Sequence, residues 1–211
     1  MFTAARLAAS MAPSKFSSDI SASCSASSGS MINSLSTDIP PMIGDRIGRF
    51  ARFCPARNLP PLSELPATFN ARAEKPMFRS AFKSRRCVIT ASGFYEWTGA
   101  KGAKTPHYFG APDGRPLAFA ALWEHWRDPD SDTKVDSATI IVGAANAWMR
   151  RFHDRMPVIL DWRDAGAWMT GADPGALLRA PPEDALQEWI VSPRVNRSGV
   201  GDDDPALTEA V

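Results

Sequence analysis

The feature that most limits the fold of this chain is a series of short apolar segments broken by turn signals. Cys87–Ala91, Gly93–Trp97, His107–Ala111, Leu117–Trp126, Ala138–Val142 and Met156–Leu160 each read as a strand. Lys101–Lys104 and the Asp113-Gly114 pair supply turns between them. Room remains only for short helices, expected over Lys75–Arg86, over Ala144–Phe152 ending at His153, and over Trp162–Met169. Many short strands with few helices predict an α+β domain around a bent, barrel-like antiparallel sheet flanked by short helices. No internal repeat is visible.

Composition sharpens the domain boundary. All twelve serines up to Ser36 fall between Ser10 and Ser36, and residues 1–40 carry only four charges, Arg6, Lys15, Asp19 and Asp38. Such a stretch cannot bury enough apolar surface to offset chain entropy, so residues 1–45 are expected to form a low-complexity tail and 46–211 the domain. A compact apolar signal segment is not apparent; a transit peptide is the minor alternative. No run of 18 apolar residues occurs, which argues against a membrane helix. The net charge of +1 predicts no partner by itself. Cys24, Cys54 and Cys87 are too few and scattered for a disulfide framework, and a cytoplasmic, reducing setting is expected.

Three clusters carry candidate chemistry. Asn70–Glu74 precedes the basic amphipathic segment Lys75–Arg86, in which Met77, Phe78, Ala81 and Phe82 share one expected face. Six Lys/Arg stand against one Glu between Arg72 and Arg86, a phosphate-binding footprint if they share a surface and a solvated helix face otherwise. In Gly93–Trp97, strand alternation puts Phe94 and Glu96 on one face and Tyr95 and Trp97 on the other. A carboxyl beside aromatic rings loses hydration, which raises its pKa toward proton-transfer range; an edge-strand Glu facing water is the plainer alternative. The third cluster, His153–Pro157, contains an imidazole that Asp154 and Arg155 could orient, or a histidine that merely favours a helix C-terminus. His107, His125, His153 and the cysteines show no metal-ligand spacing, and neither a metal nor another cofactor is expected. A Cys87–His153 thiol pairing is conceivable, but Cys87 opens an apolar strand and reads as packing.

Taken in order, Asn70–Glu74, Lys75–Phe82, Arg86–Ile89 with Gly93–Trp97, and His153–Pro157 resemble the SOS response-associated peptidase-like (SRAP) family. Pro116–Trp123, Ile140–Asn146 and Val191–Asn196 extend the resemblance over roughly Thr68–Ala206. It implies recognition of abasic sites in single-stranded DNA and, through an N-terminal Cys exposed by removal of the leader Met, a covalent thiazolidine crosslink that shields the lesion. It also implies the family's self-processing peptidase and lyase labels, and a nucleoid-associated monomer as the working form. By motif, Glu96 would be the general acid/base, His153 would assist ring opening, and Asn70 would orient the N-terminal residue. Arg72, Arg85, Arg86 and Arg155 would contact phosphates, and Trp97 would stack an unpaired base.

One departure bears on the chemistry. Residue 2 is Phe2, and the nearest echo of the family's Met-Cys-Gly-Arg start is Ile47–Phe53, with Ile47 at the cysteine position. Cys24, Cys54 and Cys87 are internal, so their nitrogens are amides and cannot form the Schiff base. Without processing that exposes one of them, the expectation is single-strand binding without the crosslink. A non-catalytic binding module and a truncated product are the competing readings.

Overall fold

The computed structural model describes residues 70–127, 134–196 and 204–211; the expected Ser-rich tail, Cys24, Cys54 and the Ile47–Phe53 segment lie outside them. In chain order the regular elements are β1 (Asn70–Ala71), α1 (Arg79–Ser84), β2 (Arg86–Ala91), β3 (Gly93–Thr98), β4 (Thr105–Gly110), β5 (Leu117–Arg127), β6 (Lys134–Ala144), β7 (Arg155–Pro157), β8 (Ile159–Leu160), α2 (Ala165–Thr170) and β9 (Gln187–Ile190).

They form two sheets. One has the order β1-β6-β5-β2, with β7 paired to β6 and β8 to β5; the other has the order β3-β4-β9. β5 and β6 pair from Arg127↔Lys134 to Ala121↔Ile140 and then separate. The segment from β7 to β8 fills the opening, with Val158 N–H donating to the Ile141 carbonyl and Ala120 N–H to the Val158 carbonyl, each at 2.9 Å. A third strand wedged between two diverging ones curls the sheet into a half-barrel, because every ladder retains its natural twist.

Alternation along β5 and β6 sorts side chains into two layers. Phe119, Ala121, Ala138 and Ile140 face the smaller sheet and pack with Phe94 and Phe109. Ala118, Ala120, Leu122 and Ile141 face the helices and pack with Phe78, Ala81 and Trp168. The Phe94 ring stacks on Phe109 at 5.1 Å and meets Phe119 edge-on at 6.0 Å. Each fully buried Phe contributes roughly 2–3 kcal/mol from area alone. The outer face of the smaller sheet, with Tyr95 and Tyr108, is covered by Val191, Val195 and Leu207 from the C-terminal segment.

The α+β half-barrel with two short helices agrees with the sequence reading; several element bounds do not. Lys75–Arg86 is a 3-10 turn at Pro76–Phe78 followed by six residues of α1, and Met77 is 44% exposed rather than on the buried face. Within Ala144–Phe152 only Met149–Arg151 is helical, as a 3-10 turn. Asn146 accounts for this: its Oδ1 accepts the Met149 N–H at 2.8 Å and its Nδ2 reaches the Pro181 carbonyl, so the side chain caps a turn instead of extending a helix. No helix among the described residues is long and apolar enough to cross a membrane.

Candidate active site

Glu96 is the centre of the site because of where β3 sends it. The strand pairs antiparallel with β4, placing Glu96 directly opposite His107, Phe94 opposite Phe109 and Thr98 opposite Thr105. Phe94, Glu96 and Thr98 therefore share the face turned toward the larger sheet, as alternation predicts, and Tyr95 and Trp97 take the outer face. Glu96 is 7% exposed. Burial pushes its carboxyl up to about 7, against the opposing pull of the Lys104 ammonium and the Trp97 N–H. A carboxyl that is half protonated near neutrality can both give and take a proton.

His107, which the sequence reading set aside with the other histidines, completes this face. Its Nδ1 lies 2.5 Å from Glu188 Oε1 and its Nε2 lies 2.7 Å from Thr98 Oγ1. Glu188 comes from β9, opposite Phe109. The His107 ring also packs edge-on against Phe152 at 5.1 Å. Phe152 in turn packs on Phe109 at 5.0 Å and on Trp148 at 5.6 Å. The loop that ends at His153 is thus anchored on the Glu96 face.

His153 Nδ1 lies 2.9 Å from the Arg155 backbone N–H, which donates to it when that nitrogen is unprotonated. Asp154 Oδ1 lies 2.9 Å from the same nitrogen and pairs with it when the ring is charged. Asn70 opens β1, which pairs parallel with β6. It stands beside Ile140 on β6, and parallel neighbours share a face; the Ile140 side chain packs with Phe94 and Phe109. Asn70 thus pairs with a β6 residue of the core cluster that also contains Phe94 and Phe109, while the His153 loop meets the Glu96 face through the Phe152–His107 contact.

The basic residues divide into three groups. Arg72 pairs with Glu74, its Nε at 2.6 Å from Oε1. The Glu74 carboxyl is held below its ordinary value, foremost by its own backbone N–H, further by Arg72 and least by the Arg155 charge. Arg85 instead pairs with Glu124 at 2.8 Å. Arg86 is buried, donating to the carbonyls of Trp168, Phe82, Lys83 and Gly171. Its guanidinium closes the C-terminal ends of α1 and α2, a role that a count of charges cannot distinguish from phosphate binding. Trp97 lies on the outer face, where its Nε1 donates to Asn196 Oδ1 at 2.6 Å. Arg72 is thus paired with Glu74 and Arg155 directly follows the His153 loop, whereas Arg85 is engaged by Glu124, Arg86 by buried carbonyls and Trp97 by Asn196.

Cys87 is buried and desolvation pushes its thiol up to about 12, which removes it as a nucleophile. Among the described residues no group of three or more His, Cys, Asp or Glu could hold a metal ion.

The family model described as SOS response associated peptidase (SRAP) matches residues 53–198. The abasic site processing protein YoqW of Bacillus subtilis (strain 168) is 36% identical over 137 residues, covering 60% of this chain and 61% of YoqW. The abasic site processing protein HMCES of Xenopus tropicalis is 32% identical over 133 residues, covering 54% of this chain and 38% of that protein. The chain thus spans less than two thirds of these relatives' lengths. A solved structure from Bordetella bronchiseptica superposes with a TM-score of 0.61 at 29% identity, over 68% of this chain and 75% of that one. One from Bacteroides thetaiotaomicron gives 0.62 at 23% identity, over 68% and 66%, a likeness of fold alone.

Proposed function

The chain belongs to the SOS response associated peptidase (SRAP) family, and on that premise we propose that it binds single-stranded DNA and shields abasic sites. In this reading Glu96 moves the proton at the ring-opened sugar, His153 assists from its Nε2, and Asn70 orients the reacting group. Arg72 and Arg155 hold the backbone phosphates. The observation that carries the reading is the buried Glu96 carboxyl, raised to about 7 on a face bordered by the His153 loop. Opening an abasic sugar and condensing its aldehyde with an amine both need a group that exchanges a proton at neutral pH. The names of the relatives point to the same lesion. Arg72 and Arg155 would give the sequence-independent, salt-sensitive part of the affinity. The family's thiazolidine step needs an N-terminal cysteine, and residues 1–69 lie outside those the structure describes, so the proposal is carried by DNA binding and by proton transfer at Glu96.

The test is an oligonucleotide carrying one abasic site, incubated with the full chain and run on native and denaturing gels. The expected result is a salt-sensitive native shift that exceeds the shift with an intact strand. Glu96→Gln is expected to keep that shift and to lose any strand cleavage or covalent band. Equal affinity for intact and abasic strands would overturn lesion recognition. Equal loss of binding and chemistry in Glu96→Gln would overturn its assigned role.

A further inference from the structure

The Glu188–His107–Thr98 chain lies on the Glu96 face and has no part in the reading above. His107 is 8% exposed, yet both of its ring nitrogens are engaged by side chains from two different strands. An ionised Glu188 accepts from Nδ1 when that nitrogen carries the ring proton. Nε2 then accepts from the Thr98 hydroxyl in the neutral ring and donates to it in the charged one. Thr98 can rotate to serve either state. Cross-strand partners on one face bring their Cβ atoms within about 5 Å, so the ring stands beside the Glu96 carboxyl.

We propose that His107 and Glu188 are positioning residues for Glu96, a hydrogen-bonded pair whose charge balance sets how the Glu96 carboxyl holds its proton. The proposal rests on the reading of Glu96 as the proton-transfer group. A buried imidazolium stabilises a facing carboxylate, a buried carboxylate opposes it, and the low dielectric between the sheets strengthens both effects. The other charged groups near this cluster in the fold are Lys104, whose charge acts on Glu96, and Arg151, His153 and Asp154, which flank Phe152, the ring packed on His107. Lys104 is exposed, and Arg151 lies over the Phe152 ring at 5.4 Å. None of these comes from β4 or β9, so variants at His107 and Glu188 leave them in place.

Carboxyl and imidazole NMR titration of the full chain, from about pH 4 to about pH 9, reads this directly and needs no DNA. His107→Gln leaves the Glu188 charge unbalanced, and the Glu96 midpoint is expected to rise by about half a pH unit or more, roughly threefold in its protonation equilibrium. Glu188→Gln removes a carboxylate charge from this face, and the midpoint is expected to fall. The double variant restores neutrality and is expected to return it toward the wild-type value, a reversal that a merely structural role would not produce. Glu188 is only half-buried, so its single variant decides the matter if His107→Gln fails to fold. A Glu96 midpoint unmoved by Glu188→Gln overturns the proposal. If instead the titrations behave as expected and abasic DNA is not bound, the function assigned above fails and this coupling stands.

Discussion

Glu96 on β3 and His107 on β4 stand directly opposite one another and are both buried. Burying Glu96 costs stability in a pH-dependent way. Its folded-state pKa of about 7 lies above the ordinary value of 4.5, so between those values the folded state binds more protons than the unfolded one. Stability is then fully present below about pH 4.5, falls as pH rises, and has lost on the order of 3 kcal/mol above pH 7. Glu96→Gln removes the titration. It is expected to melt above the wild type at pH 8 and to match it near pH 4, as thermal unfolding at the two pH values will show.

Arg86 holds the helical layer to the sheet. Replacing it with Met keeps the apolar stem but strands the carbonyls of Phe82, Lys83, Trp168 and Gly171 near the ends of α1 and α2. Each buried carbonyl left unpaired costs about 1 kcal/mol or more, so the loss is expected to reach roughly 3–5 kcal/mol. Urea unfolding measures it. Arg86→Lys recovers only part, because an ammonium cannot span four acceptors in the same fork geometry.

These two residues also mark what could be read from the chain alone. Glu96 was legible because period-2 alternation in Gly93–Trp97 assigns faces without knowledge of the partner strand. Its partner was not, since pairing Glu96 with His107 needs the exact register across the turn at Gly99–Lys104. The burial of Arg86 is not legible in a count of charges, which sees neither the end of α1 three and four residues before it nor the end of α2 82 and 85 residues beyond it. β9 was missed because Gln187–Ile190 is four residues long and its pattern, exposed at Gln187 and Ile190, has no apolar period. The half-barrel itself followed from the spacing of short apolar runs, which long β5 and β6 and the wedge at Val158 then realise.

Arg155 and Arg72 make the electrostatic prediction. Removing one phosphate contact is expected to weaken binding about equally for all sequences and to reduce the slope of log affinity against log salt by about 0.7 for a single strand. Fluorescence anisotropy of a labelled oligonucleotide at several salt concentrations reads the slope. Arg155→Ala is the cleaner variant, because Arg72 is already paired to Glu74.

Cys87 is expected to stay unreactive in the folded protein. Its thiol is buried against β5, with desolvation holding it protonated far above neutral pH. Alkylation under native conditions followed by peptide mapping should leave the Cys87 peptide unlabelled, with full labelling in denaturant. Cys87→Ala is correspondingly expected to leave any DNA chemistry unchanged.

Gly93 and Gly110 face each other at the start of β3 and the end of β4, and they are expected to differ sharply when enlarged. A Cβ on Gly93 would overlap the Phe109 carbonyl oxygen and the Tyr108 ring, and neither can retreat because both belong to the paired strand that carries His107. A Cβ on Gly110 meets nothing nearer than 3.4 Å. Gly93→Ala is expected to cost about 2 kcal/mol or more through strand displacement, and Gly110→Ala less than about 1 kcal/mol. Because β3 must move to admit the extra methyl, Gly93→Ala should also disturb the Glu96 carboxyl resonance, whereas Gly110→Ala should not. Urea midpoints and that resonance, measured on the same samples, separate a shifted strand from a general loss of packing.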